Sequence, residues 1–255
     1  MNIVIIGAGR VGSALGIEFN KRGHSVLKII SRSGEKAAAL AATLGCEYGN
    51  DLLIPREAEL VIVAVNDDSL ESVLRELKAP GNPAIAHTAG SLGLEVFGDK
   101  IPDHGVFYPL QTFTHGREYD FRPIPVFIEA SNDHAEKVLR SLALSLSEKV
   151  FTLNIERRKY LHLAAVFSCN FVNHMYYSAK EITARAGMDF DVLLPLIRET
   201  MEKVEDMVPE KSQTGPAVRN DKKTIEKHLD LLSFSPDLQK IYRAITDSII
   251  NKYTG

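Results

Sequence analysis

Residues 3–16, IVIIGAGRVGSALG, decide the fold. Four apolar residues, Ile3 to Ile6, read as a buried strand, and three glycines, Gly7, Gly9 and Gly12, follow at GxGxxG spacing. Helical spacing of Val11, Leu15 and Phe19 then runs to Arg22 and closes at Gly23. A glycine triplet alone is a weak signal; between a strand and a helix it is specific. Gly7 permits a sharp turn, Gly9 lets backbone approach a pyrophosphate, and Gly12 lets the helix pack on the sheet. The helix N-terminus at Val11, with Arg10 just before it, then faces the phosphates with unpaired amides and a partial positive charge.

Working outward, Val26–Ile30, Leu60–Val65, Ala84–Ala86 and Val126–Ile128 read as further buried strands, with helices at Glu35–Leu44 and Ser69–Leu77 between them. Strands alternating with helices predict a parallel sheet with crossover helices. After Leu153 the period changes. Glu156–Ala186 is one long helical pattern, followed by Asp191–Met207, Asp221–Leu232 and Asp237–Lys252, the last with Ser235 as N-cap and Pro236 at the first helical position. The expected architecture is an α/β Rossmann-type parallel-sheet domain over 1–153 followed by an all-α domain over 154–255, the second serving substrate binding.

Composition narrows the function. Of 255 residues 45% are hydrophobic and 25% charged, which describes a globular chain rather than a disordered one. Thirty Lys and Arg against 33 Asp and Glu leave a formal charge of −3, so the basic surplus that a nucleic-acid partner demands is missing. No apolar run approaches the ~20 residues of a membrane span, and the N-terminal run is too short for a signal peptide, which predicts an uncleaved chain and no membrane partner. Cys46 and Cys169 stand far apart without metal-ligand spacing. A reducing cytoplasm and no metal are expected.

The end of the second strand selects the dinucleotide. An NAD site usually carries an acidic residue there to bond the ribose hydroxyls; this chain has Ser31, Arg32 and Ser33. A guanidinium flanked by hydroxyls can hold a 2′-phosphate, so NADP is the expected cofactor, unless Arg32 is simply a solvated strand-end residue. In a parallel sheet the ligand sits beyond the carboxyl ends of the strands. Asn66 and Thr88 therefore stand where the nicotinamide ribose would lie, and Ala89 and Gly90 are small enough to admit the ring. Asn66 and Asp67 can equally cap the following helix.

On the long helix, Leu161, Ala164, Phe167, Phe171, Val172, Met175, Ala179 and Ile182 share one apolar arc. The opposite arc carries His162, Val166, Asn170, Asn173, His174 and Tyr177, with no charge in its middle. A solvated face would carry Lys and Glu throughout, so this arc suits the wall of an interdomain cleft. Asn170 would orient substrate or the carboxamide, and His162 or His174 would exchange a proton; satisfied core or dimer-interface groups are the bland alternative. Tyr108 and Gln111, in an aromatic loop 107–113, are candidates to cover substrate. Arg219, just before a helix N-terminus, is a candidate for an anionic group, with Asp221 as the N-cap. These candidates predict hydride transfer between nicotinamide and a small anionic metabolite; the alternative is a non-catalytic NADP-binding sensor.

GAGRVG (7–12), SRS (31–33), VAVNDD (63–68), AHTAGS (86–91), YPLQTF (108–113), HLAAVFSCN (162–170) and GPAVRNDKKTIEKHL (215–229) occur in that order. The chain thereby resembles a bacterial family assigned as NADP oxidoreductases, which pair a Rossmann-like domain with a helical domain of the 6-phosphogluconate dehydrogenase C-terminal type. The resemblance spans nearly the whole chain and implies NADP as cofactor and a homodimer through the helical domain. Two departures stand out. The related hydroxyacid dehydrogenases place a catalytic Lys four residues before an Asn, where this chain has Val166, and Tyr108 replaces the His more often found in the HPLQTF motif. A third reading, a reductase for a deazaflavin, shares the same fold.

Overall fold

The computed structural model describes residues 1–254, which divide into two compact units, one over Met1–Asn170 and one from Phe171 onward. In the first unit the strands are β1 (Asn2–Ile6), β2 (Ser25–Ile30), β3 (Glu47–Gly49), β4 (Leu60–Val63), β5 (Ala84–His87), β6 (His104–Pro109), β7 (Val126–Ala130) and β8 (Val150–Thr152). They form one sheet in the order β3-β2-β1-β4-β5-β6-β7-β8, parallel except where β6 meets β7. The first six strands thus follow the 3-2-1-4-5-6 order, with the order reversing at β1 and β4.

Why these residues form a doubly covered sheet is visible in β1. Ile3 and Ile5 face one side and join Leu15 and Phe19 of α1 (Arg10–Lys21) and Leu139 and Leu142 of α4 (Asp133–Leu146). Val4 and Ile6 face the other side, with Leu70 and Leu74 of α3 (Asp67–Glu76). All four β1 residues are almost wholly buried, as an unbroken apolar run with both faces covered requires. The α2 helix (Gly34–Leu44) closes at Gly45, whose φ of 68° suits glycine. The strands expected at Ile3–Ile6, Val26–Ile30, Leu60–Val65, Ala84–Ala86 and Val126–Ile128 are all present, the third ending at Val63.

The structure adds elements that the pattern did not name. β3 and β8 are three-residue strands with largely exposed side chains, and α4 is a full helix capped by Asn132, whose side chain accepts a bond from the Ala135 amide at 2.9 Å. The long pattern from Glu156 is also not one regular helix. It comprises α5 (Ile155–Ala165), a π turn (Val166–Phe171) and α6 (Val172–Arg185), and the boundary between the two units falls inside the π turn. The second unit continues with α7 (Leu194–Asp206), the short α8 (Pro209–Ser212), α9 (Lys222–Leu231) and α10 (Pro236–Thr254). Asp221 caps α9 through the Thr224 amide, and the Ser235 hydroxyl accepts from the Leu238 amide at the start of α10, both at the positions expected. No helix among the described residues is long and apolar enough to cross a membrane.

Candidate functional site

Two cavities open at the carboxyl ends of the strands, and the glycine turn lies where they meet. Gly7, Ala8 and Gly9 line one of about 510 Å³; Arg10 and Val11 line the other, of about 700 Å³; Val65 belongs to both. The turn itself is held by backbone bonds, the Gly7 amide donating to Ile30 at 2.8 Å and the Ala64 amide to Ile6 at 2.7 Å. Gly7 has φ of 109°, and a Cβ there would collide with the Ala64 carbonyl. At Gly12 a Cβ would strike the Gly7 carbonyl. Gly9 is different: a Cβ there would meet nothing within 4 Å. Open space over Gly9, which is also the N-cap of α1, is what close approach of a pyrophosphate to the helix N-terminus needs. The chain therefore carries a cradle that fits a dinucleotide.

The smaller cavity is lined by Ser31, Arg32, Ser33, Lys36, Ser69 and Ser72, besides the glycine turn and Asn66. Its charged lining residues are Arg32, Lys36 and Glu76, a cationic pair set among four hydroxyls. The Arg32 guanidinium reaches the Ser69 hydroxyl at 3.5 Å, and the Ser33 amide donates to Ser31 Oγ at 3.3 Å. Nothing acidic stands at the end of β2, where a carboxylate would repel a phosphate. Lys36, in the first turn of α2, was not among the sequence candidates, and its position four residues beyond Arg32 is the signal that would have found it.

The larger cavity gathers Thr88, Ala89, Gly90, Tyr108, Gln111, His162 and Asn170. Thr88 to Gly90 follow β5 and are shaped by His87, which is fully buried. Its Nδ1 accepts from the Ala89 amide at 3.1 Å, leaving Nε2–H to donate to the Gly93 carbonyl at 3.2 Å. Burial pushes the His87 pKa down to about 4, so the ring is neutral and its tautomer fixed. Tyr108, on β6, and His162, on α5, meet with Oη and Nδ1 3.0 Å apart. Gly90 lies against both: a Cβ there would stand 2.6 Å from His162 Nδ1. Asp67, also in the lining, accepts a short bond from the Ser91 hydroxyl. The Gln111 side chain bonds the Thr112 amide at 2.8 Å.

The π turn decides which helix residues face this cavity. Leu161, Ala165 and Asn170 all line it, and the step from Ala165 to Asn170 is five residues, the π spacing. Val166, which a regular helix would place one turn before Asn170, is not in the lining. The apolar arc expected from a 100° wheel is correspondingly altered: Leu161 and Ala164 line the cavity, while Phe167 and Phe171 are exposed.

Besides Lys36, sequence reasoning missed Arg158, which lies behind the larger cavity rather than in its lining. Only 1% exposed, its guanidinium bonds Glu129 at 2.5 Å, the Leu92 carbonyl at 2.5 Å and the Leu153 carbonyl at 3.2 Å. It thereby ties the first turn of α5, and with it His162 one turn later, to β7 and to the segment after Gly90. Its neighbours Arg157 and Lys159 make the triplet look like a solvated run, so no local signal marks it.

The remaining candidates belong to the second unit. His174 is exposed and stacks on Tyr177 with centroids 6.2 Å apart. Arg219 is exposed in the turn before α9, and His228 on α9 bonds the Tyr242 hydroxyl at 2.8 Å. Among the described residues no group of three His, Cys, Asp or Glu side chains could hold a metal ion.

Comparison with known proteins agrees with this geometry. Residues 2–90 match the family described as NADP oxidoreductase, coenzyme F420-dependent, and residues 124–249 match a domain of unknown function, DUF2520. No curated protein matches the chain. Among solved structures, protein BF3122 from Bacteroides fragilis, an NADP oxidoreductase by inference, is 40% identical over 98% of both chains, with a TM-score of 0.91. Protein TM1727 from Thermotoga maritima is 24% identical over 97% of this chain and 96% of its own, with a TM-score of 0.71. A reductive aminase from Aspergillus terreus, solved with NADPH and ethyl-5-oxohexanoate, shares the fold at 12% identity, 98% and 94% coverage and a TM-score of 0.75. With a Rossmann-type sheet, a dinucleotide cradle and 40% identity along nearly its whole length to BF3122, this chain belongs to the family of NADP oxidoreductases that join such an N-terminal domain to a DUF2520 domain.

Proposed function

We propose that the chain binds NADP across the glycine turn and uses it to oxidise or reduce a small metabolite in the 700 Å³ cavity. The observation that carries this reading is the pairing of two unlike cavities at one turn, a cationic hydroxyl-rich one at Arg32 and an aromatic and amide-lined one at Tyr108 and Asn170. Arg32 and Lys36, with Ser31, Ser33 and Ser69, would hold the 2′-phosphate. Gly7, Gly9 and Gly12 give the pyrophosphate its approach, and Arg10 and Val11 continue the wall toward the nicotinamide. Asn66 and Thr88 would bond the ribose, and Ala89 and Gly90 leave room for the ring. When bound, the nicotinamide supplies or takes up a hydride.

Around that position Asn170 would orient the substrate or the carboxamide, while Gln111 and Tyr108 would close over the substrate. His162, which shares the lining with Asn170, is favoured over His174 as the group that exchanges a proton. A metabolite carrying a negative charge would find Arg10 as the cation within the lining. We place the protein in the cytoplasm, where Cys46 and Cys169, both free, stay reduced.

We also propose a homodimer formed through the helical unit. Met188, Val192, Leu196, Met201 and Val204 are all close to half exposed or more, and its buried apolar residues are Ala217, Leu229, Leu232 and Leu238 among those described. So small a core does not offset the entropy of ordering a helical body, and a second copy would cover the exposed faces.

The test is oxidation of NADPH by the purified protein across a panel of small ketones, keto acids and cyclic imines. Turnover that Asn170→Ala removes supports the enzyme; tight NADP binding with no turnover on any member supports the sensor. A deazaflavin added as acceptor gives no NADPH oxidation in this account.

A further inference from the structure

The contact between Tyr108 and His162 is more specific than wall packing requires. The phenol and imidazole meet edge to face with centroids 6.1 Å apart, and the hydroxyl lies 3.0 Å from Nδ1. Both rings line the larger cavity. Gly90 fits behind them only because it lacks a Cβ, and Arg158 fixes the helix turn that carries His162. Among the other lining groups, the alcohols Thr88, Thr112 and Ser168 and the Cys169 thiol have no histidine partner, and Asp67 already accepts from Ser91.

Resting on the NADP reading above, we propose that Tyr108 is the proton donor of the site and His162 its relay to solvent, so that the substrates are compounds with a reducible C=O or C=N group. With the hydride that a reduced nicotinamide would supply, a C–H bond would form at carbon and the π electron pair would move to the oxygen or nitrogen. That atom takes the Tyr108 Oη proton. The phenolate oxygen takes the proton from His162 Nδ1, and His162 regains one at Nε2 from water, so one solvent proton is consumed and the ring changes tautomer. Oxidation runs the same transfers backwards. Burial raises the Tyr108 pKa, with the Arg158 charge opposing it, so the phenol holds its proton at neutral pH until the substrate needs it.

Delivery toward the substrate requires that the resting His162 carry its proton on Nδ1 and donate it to Tyr108 Oη. Ring-nitrogen NMR of the full chain reads this directly, with NADP+ as the only added ligand and His162→Gln used to assign the signals. The expected result is an Nδ1–H tautomer in the wild type, its loss in Tyr108→Phe, and a shift of the His162 signals when NADP+ binds. An Nε2–H tautomer in a wild type whose Gly7 and Gly9 amides respond to NADP+ would overturn the relay alone, because the phenol proton would then be committed to histidine. A response at those amides without one at His162 would also overturn it. No NADP+ response anywhere would overturn the cofactor reading, and the relay with it.

Discussion

Replacing Arg158 with Met removes a charge that three acceptors share. The guanidinium is 1% exposed and the Glu129 side chain 15%, so the carboxylate left behind cannot regain full hydration. Glu129 would keep the Ile155 amide at 3.3 Å, while the Leu92 and Leu153 carbonyls would lose the bonds now made to Arg158. Breaking a buried pair from one side costs about 3–5 kcal/mol. For a chain of this size that corresponds to roughly 10 °C in melting temperature. The Arg158 Nε has no partner among the described residues, which makes the pair less than optimal and the double replacement informative. Glu129→Gln combined with Arg158→Met leaves no orphaned charge, so it should be more stable than Arg158→Met alone by about 1 kcal/mol or more. Scanning calorimetry on the wild type, both single variants and the double variant completes the cycle. An Arg158→Met protein within 1 kcal/mol of wild type, or strictly additive effects, would refute the reasoning.

The glycine turn separates folding from binding: Gly9→Ala meets no atom and should cost only about 1 kcal/mol, the ordinary loss of a good N-cap residue, while losing NADPH affinity, whereas Gly12→Ala strikes the Gly7 carbonyl and should unfold or aggregate. Calorimetry paired with NADPH titration checks both, and a Gly9→Ala protein that binds normally contradicts the cradle. For His87 the folded pKa of about 4 lies below the unfolded value of 6.5, so its contribution is complete above pH 6.5 and is lost as pH falls toward 4. The loss is about 3 kcal/mol, and urea midpoints across that window should fall more steeply for wild type than for His87→Asn. Light scattering should give twice the monomer mass, and replacing Leu196 and Met201 with Glu should reduce it; a monomeric wild type contradicts the helical-unit dimer.

Much of the first unit was legible because its signals are local. Ile3 to Ile6 followed by Gly7, Gly9 and Gly12 names a strand, a turn and a helix within one stretch, and the residues after β2, β4 and β5 then fall at the carboxyl edge by topology. The Ser31, Arg32 and Ser33 set was readable for the same reason. What escaped depends on distant partners. β3 and β8 are short, half-exposed strands whose pairing supplies the evidence that their composition lacks. The π turn shifts the face of α5 between Ala165 and Asn170, and a wheel of constant pitch cannot show that shift. Arg158 is buried only because Glu129 lies across the fold from it, 29 residues away in sequence. Tyr108 and His162 were each named, yet their contact spans 54 residues and appears only when β6 and α5 are placed.

The cationic cavity at Arg32 makes the central claim directly measurable. The ratio of NADPH to NADH dissociation constants, taken for the wild type and for Arg32→Ala, isolates the 2′-phosphate from the rest of the dinucleotide. A hydrogen bond to a charged group is worth about 1.5–3 kcal/mol, so Arg32→Ala should weaken NADPH about 10- to 100-fold. NADH affinity should hardly change. A wild type that binds both dinucleotides equally, or an Arg32→Ala variant that keeps the wild-type preference, would contradict the account.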